Sequence, residues 1–272
     1  MSERGGRGKG VYRRILEHLF TARYSEGVTE IPFTSADIRT AADEIGVAQP
    51  ANPPDVLYSM RYRGNTTEAI SQTEPEGKSW VIRGKGRGSY SFDLMDTLEI
   101  VPNPLIGETK VPDATPGIVA MYASDDEQAL LVGLRYNRLI DIFTGITCYS
   151  LQNHLRAQVE RVGQVETDEI YVGVDRRGTH YVLPVQAKGG TDRQNVVQIE
   201  QDFALCAERF PTLICKAIGA QFMANDIIAL FEFERSDGVV ALVREKHYRL
   251  VPPDEVTEED LRRYKQHPLN GD

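Results

Sequence analysis

The segment from Gly163 to Gly190, GQVETDEIYVGVDRRGTHYVLPVQAKGG, sets Glu166 and Asp168 ahead of Gln186 and Lys188. Carboxylates bind hard divalent cations, and an ammonium group offsets negative charge as it develops. Such groups act together only if the backbone gathers them. The runs Val165 to Val174 and Thr179 to Ala187 read as strands, with Asp175-Arg176-Arg177-Gly178 as the turn between them. A three-residue loop Arg176-Arg177-Gly178, with Gly178 left-handed, is a favoured hairpin connection. It pairs Asp175 with Thr179, and the register then sets Asp168 opposite Gln186 and Glu166 opposite Lys188. Directly opposed residues share a sheet face, so the four polar groups meet on one side. A two-residue turn would divide them between faces. Glu169 falls on the opposite face and ranks below Glu166. A plainer reading makes these groups solvated or salt-bridged strand charges. Against it, Lys188 follows Tyr181-Val182-Leu183-Pro184-Val185, a run of buried-strand character where an unpaired ammonium is costly.

The elements that must position this hairpin are also legible. Ser124-Asp125-Asp126-Glu127 opens a helix running to Phe143, with Ser124 as cap, acids in the first turn and Gly145 as the stop. A second helix is expected from Tyr149 to Arg156, a third from Val196 to Arg209, and strands at Ile214 to Gln221 and Ile227 to Glu234. Arg135 and Arg138 lie on one helical face, where they meet phosphates or pair with Asp141. Asn153 and His154 read either as nucleic-acid contacts or as a polar helix end. Phe231 and Phe233 alternate inward.

Four prolines between Val101 and Gly117 mark an extended linker. The expected organisation is therefore a domain at 1–98, a linker at 99–117, a mixed α/β (α+β) domain at 118–252 and an acidic helix and tail at 253–272. Within the first domain, Val11 to Tyr24 carries a helical apolar stripe, and Thr34 or Ser35 caps a second helix that Gly46 closes. Pro53-Pro54-Asp55 opens a third helix, with Arg61 and Arg63 near its end. Two short strands, Ser79 to Arg83 and Ser89 to Phe92, flank Gly84-Lys85-Gly86-Arg87-Gly88. Three helices and a Gly-rich hairpin is the order of a winged helix-turn-helix. In it the third helix enters a groove, and Lys78, Arg83, Lys85 and Arg87 reach phosphates from the wing. The bland alternative is a solvated loop.

Asp168 together with Gln186-Ala187-Lys188 resembles the site of the PD-(D/E)xK nuclease superfamily, an Asp on one strand and an acidic-x-Lys tripeptide on the next. Gln-x-Lys is the variant of Mrr-type restriction nucleases and some transposon end-cleaving nucleases. Over its length the chain resembles restriction endonucleases of this superfamily with an N-terminal winged helix. The matching features are the Leu57-to-Arg63 helix, the Gly84-Lys85-Gly86 wing, Arg135-Tyr136-Asn137-Arg138 and Gln186-Ala187-Lys188-Gly189-Gly190. The resemblance implies a restriction-endonuclease-like central sheet and Mg²⁺-dependent hydrolysis of double-stranded DNA by a homodimer. It makes Asp168 the main Mg²⁺ ligand and Gln186 a weaker amide ligand, with Glu166 supplying the missing charge. Lys188 orients the attacking water, and Glu127 is the candidate helix acid. Two alternatives stay open: cleavage dependent on 5-methylcytosine, and a non-catalytic winged-helix regulator, which Gln186 in place of a carboxylate keeps in play.

Composition sets the outer bounds. The chain has 272 residues, 31 Lys+Arg against 40 Asp+Glu, and a net charge of −9. That acidity argues against a nucleic-acid partner only as an average. Up to Met95 there are 13 basic and 12 acidic residues, so the remainder carries the excess of acid. No run approaches the ~20 apolar residues of a membrane span, and no apolar stretch follows the basic start, so a cytoplasmic protein without signal peptide or membrane partner is expected. Cys148, Cys206 and Cys215 are scattered and read as reduced thiols, and the five histidines lack zinc-ligand spacing.

Overall fold

Thr34 shows how local chemistry starts an element. Its hydroxyl accepts from Asp37 N while the Asp37 carboxylate accepts from Thr34 N, a capping box that begins a helix. In the computed structural model, residues 4–53, 56–57, 67–96, 100–123, 127–189 and 192–266 are described. The chain divides into two units. The first comprises Met1–Glu99, Arg156–Glu166 and Asn195–Glu208; the second comprises Ile100–Leu155, Thr167–Gln194 and Arg209–Asp272.

From the N-terminus the first unit runs α1 (Arg4–Thr21), β1 (Glu30–Thr34), α2 (Ser35–Glu44), α3 (Glu68–Ser71), β2 (Lys78–Gly84) and β3 (Ser89–Asp96). The strands form an antiparallel sheet of order β1-β3-β2. Its core joins Ile15, Leu16, Leu19 and Phe20 of α1 to Trp80, Ile82 and Phe92 of the sheet. Of the helix expected after Pro53, Val56 and Leu57 are buried; Arg61 and Arg63 lie outside the described residues.

Chain order continues with β4 (Glu108–Pro112), α4 (Gly117–Tyr122), α5 (Glu127–Tyr136), α6 (Leu139–Thr144), β5 (Thr147–Val159), β6 (Gly163–Val174), β7 (His180–Lys188) and α7 (Val196–Arg209). Then come β8 (Ile214–Cys215), β9 (Ala217–Phe222), β10 (Ile227–Ser236), β11 (Val239–Val251) and α8 (Glu258–Gln266). Eight strands form one mixed sheet, ordered β4-β11-β10-β9-β7-β6-β5 with β8 beside β7. β6·β7, β9·β10 and β10·β11 are antiparallel, whereas β7·β9 and β11·β4 are parallel. In the second unit, Leu130, Leu131 and Leu134 of α5 and Ile140 and Phe143 of α6 pack with Leu183, Val185, Ala187, Ile218 and Ala220.

The structure corrects three expectations. The proline-rich stretch is not only a linker, because Glu108–Pro112 pairs with β11. The helix expected to reach Phe143 breaks at Arg138, whose φ of 51° is left-handed, so Arg135 and Arg138 do not share a helix. The helix expected at Tyr149 to Arg156 is instead part of β5, where Leu155, Ala157 and Val159 are buried alternately, the period of a strand. Glu232, between the inward Phe231 and Phe233, is also buried and is ion-paired with Lys216 and Arg244. Among the described residues no helix is long and apolar enough to cross a membrane. None of the three cysteines forms a disulfide, and burial pushes the Cys148 thiol up to about 12.

At the C-terminal helix, Asp260 accepts from the Thr257 hydroxyl and amide, and Lys110 Nζ lies 3.1 Å away. These bonds, the Thr257 hydroxyl foremost, hold its carboxyl down at about 2. A depressed folded-state value means that the stabilisation is present above the ordinary 3.8 and is lost as pH falls towards 2. In Asp260→Asn the acid limb of the unfolding curve between those values will be flatter than in wild type, as read by circular dichroism.

Candidate functional site

The site begins with its turn. Gly178 takes φ 80°, the left-handed conformation that the turn requires. Asp175 N donates to Thr179 O at 3.1 Å, closing the loop. The Asp175 carboxylate accepts from Thr179 N and Arg177 N, and these bonds hold it below the ordinary carboxylate value. From there the register runs Val174↔His180 through Glu169↔Val185, the alignment the three-residue loop dictates.

Beyond the last ladder pair, Asp168 reaches across the hairpin. Its Oδ2 accepts from Ala187 N at 2.8 Å, between Gln186 and Lys188. Gln186 is 1% exposed and Lys188 8%. Lys188 Nζ has Glu127 Oε1, at the start of α5, 3.9 Å away. The hairpin thus sets Asp168 against the backbone between Gln186 and Lys188, and the helix start brings the lower-ranked Glu127 to Lys188. Glu166 belongs to the first unit, and its carboxylate lies 2.9 Å from Arg156 Nη2.

Glu169 occupies the opposite face and is fully buried. Its Oε1 accepts from Arg135 Nε at 3.1 Å and from the Ser150 hydroxyl. Arg135 also donates to Asn153 Oδ1, and His154 Nε2 lies 2.9 Å from the Gln128 amide. Burial, reinforced by the Glu169 charge, pushes the neighbouring Tyr171 phenol up. Arg138 pairs with Asp141. Of the two readings of Arg138, the structure shows the pairing with Asp141; Arg135, Asn153 and His154, read as phosphate contacts or a polar helix end, instead join α5 to β5 and β6.

The β2–β3 hairpin is closed by Lys85 N donating to Ser89 O at 2.9 Å. Its charges are largely compensated. Arg83 bridges Asp93 and Glu200, Lys85 bridges Glu30 and Asp93, and Lys78 faces Asp96. Arg87, at the tip, is exposed. None of the four acids lies between Lys78 and Tyr90, which is why that stretch reads as purely basic.

Two residues escaped sequence reasoning. Gln221 is buried and pairs with Lys188 across β7·β9, and the buried Gln194 donates to the Gln186 carbonyl. Glutamine in a strand or loop carries no local signal of a site, and parallel pairing between β7 and β9 brings together positions far apart in sequence.

Asp168, Glu127 and Gln186 offer hard oxygen donors, two of them anionic. That set suits Mg²⁺, which takes one or two carboxylates and keeps several waters. Among the described residues no three His, Cys, Asp or Glu side chains cluster as a ready metal cage. Compared with known protein families, curated proteins and solved structures, the chain has no match.

Proposed function

We propose that this chain is a Mg²⁺-dependent endonuclease of PD-(D/E)xK type that hydrolyses phosphodiester bonds in double-stranded DNA. The observation that carries this reading is Asp168 seated on the Ala187 amide, between Gln186 and a buried Lys188 whose acid partner is 3.9 Å away. A buried ammonium with so loose a counter-ion adds little stability, so its place calls for a chemical reason. Asp168, Gln186 and Glu127 are the residues that would hold Mg²⁺, which when bound supplies positive charge at the phosphate and acidifies water. Lys188 orients the attacking water and stabilises charge on the phosphate oxygens.

In this reading the first unit binds DNA as a winged helix. The order helix, strand, helix and a terminal β2–β3 hairpin, with β1 completing the sheet, supports it. Phosphate contact then falls to Arg87, since Arg83 and Lys85 are committed to acids, and to Arg61 and Arg63 outside the described residues. One site cuts one strand, so a duplex break calls for a homodimer.

The test is incubation of the protein with methylated and unmethylated genomic DNA, in Mg²⁺ and in EDTA, with the ends mapped. Discrete fragments that require Mg²⁺ are expected, and the two substrates report whether methylation is needed. DNA left intact in Mg²⁺ in both methylation states overturns the reading; binding without cutting would instead favour the non-catalytic regulator.

A further inference from the structure

We infer that Gln221 is a water-positioning residue of this site, its side-chain carbonyl oxygen accepting a hydrogen bond from the water that Lys188 orients; the inference rests on the nuclease reading. Parallel pairing of β7 with β9 sets Gly219 beside Gln186 and Gln221 beside Lys188. Gln221 therefore shares a sheet face with Gln186 and Lys188, and it is only 9% exposed. Its Nε2 donates to Asp192 O at 3.3 Å, which fixes which way the amide turns. Its Oε1 is buried and has no hydrogen-bond partner among the described residues.

The neighbouring Gln194 shows that this corner is built for side-chain amides. Its Nε2 donates to Gln186 O at 3.1 Å and to Ala220 O at 2.9 Å, joining β7 to β9. Gly219 makes the space, because a Cβ there would stand 3.0 Å from Gln194 Cδ. The Gln194 Oε1 is likewise buried without a partner among the described residues. Both amides donate to backbone carbonyls and present oxygens that can only accept. A buried acceptor left without a donor is costly, so a donor is expected to reach it in the working enzyme.

The chemistry of hydrolysis supplies one. Attack requires a water whose oxygen faces phosphorus, held by a donor on one side and an acceptor for its hydrogen on the other. Lys188 has donors only, and Gln221 offers an acceptor on the adjacent strand. In the reaction the water oxygen bonds to phosphorus as the bond from phosphorus to the leaving sugar oxygen breaks. One water proton passes to solvent and the leaving oxygen takes one up, so Gln221 stays neutral and only orients.

The experiment is steady-state plasmid cleavage in Mg²⁺ by the full chain carrying Gln221→Leu or Gln221→Glu, with Tm measured for each. Gln221→Leu should lower kcat by about 10–100-fold, the scale of a misplaced reactant, with KM within about twofold. Gln221→Glu keeps an acceptor oxygen and should recover most of that kcat. If Gln221→Leu cuts as fast as an active wild type, the inference falls and the nuclease reading stands. If both variants lose kcat equally, with a matching fall in Tm, Gln221 is structural and the inference again falls. If wild type leaves the DNA intact, the nuclease reading fails and takes the inference with it.

Discussion

If the chain is the nuclease proposed above, Lys188→Met will lower Mg²⁺-dependent DNA cleavage by about 10²–10³-fold, the scale of removing one donor aimed at developing charge, while leaving the folded state at least as stable as wild type. The two halves of this expectation come from one observation. Lys188 is buried, and its acid partner stands at 3.9 Å, beyond hydrogen-bond length. Replacing such an ammonium by an apolar group of similar length removes a desolvation penalty larger than the attraction it loses. A lysine kept for structure would give the opposite pattern, with Tm falling and cleavage following it. Asp168→Asn makes the companion test. The amide oxygen still accepts from Ala187 N, so the hairpin keeps its shape, but the anionic oxygen is gone. Cleavage by Asp168→Asn should fall at least as far as in Lys188→Met, and added Mg²⁺ should restore part of it. Wild-type rates in either variant would remove the site from this corner of the sheet.

Phe20→Ala will destabilise the first unit by about 3–5 kcal/mol, the cost of emptying a well-packed aromatic position. Phe20 of α1 is buried at the centre of a ring cluster. Its centroid lies 5.1 Å from Trp80 and 5.2 Å from Phe92, both edge-on, and 5.3 Å from Tyr24, stacked. Edge-on pairs place ring hydrogens against a π face, a gain beyond area burial that leucine cannot supply. Phe20→Leu should therefore lie between alanine and wild type. Urea unfolding followed by Trp80 fluorescence reads this directly, because Trp80 is the chain's only tryptophan and sits in the same cluster. An alanine variant within about 1 kcal/mol of wild type would mean that α1 does not anchor the hairpin.

What could be read without coordinates was local. The Thr34 cap, the Gly178 turn, the β6–β7 register and helix α7 at Val196–Arg209 each depend on residues near one another in sequence. Turn chemistry and side-chain period act over that range, so Asp168, Gln186 and Lys188 could be set on one face from the loop length alone. The misreadings share a different origin. Tyr149 to Arg156 has apolar positions compatible with a helix or a strand, and its place beside β6 decides for the strand. Arg138 breaks a helix whose sequence lacks a proline or glycine at that point, with its side chain on Asp141.

Charge was the property least legible in one dimension. A stretch from Lys78 to Tyr90 without an acid becomes a hairpin whose cations meet Glu30, Asp93, Asp96 and Glu200, drawn in from a strand before it, the strand and its end after it, and a distant helix. Lys188 follows the same logic in reverse. The sequence by itself determined that a lysine ends a buried strand beside an amide, because a strand's side chains alternate and a turn fixes their register. Only the tertiary structure decided what surrounds that lysine: a glutamate from a helix start, and a glutamine from a parallel strand. Through-space interactions set charge balance and unpaired acceptors, and chain order does not encode which segments will become neighbours.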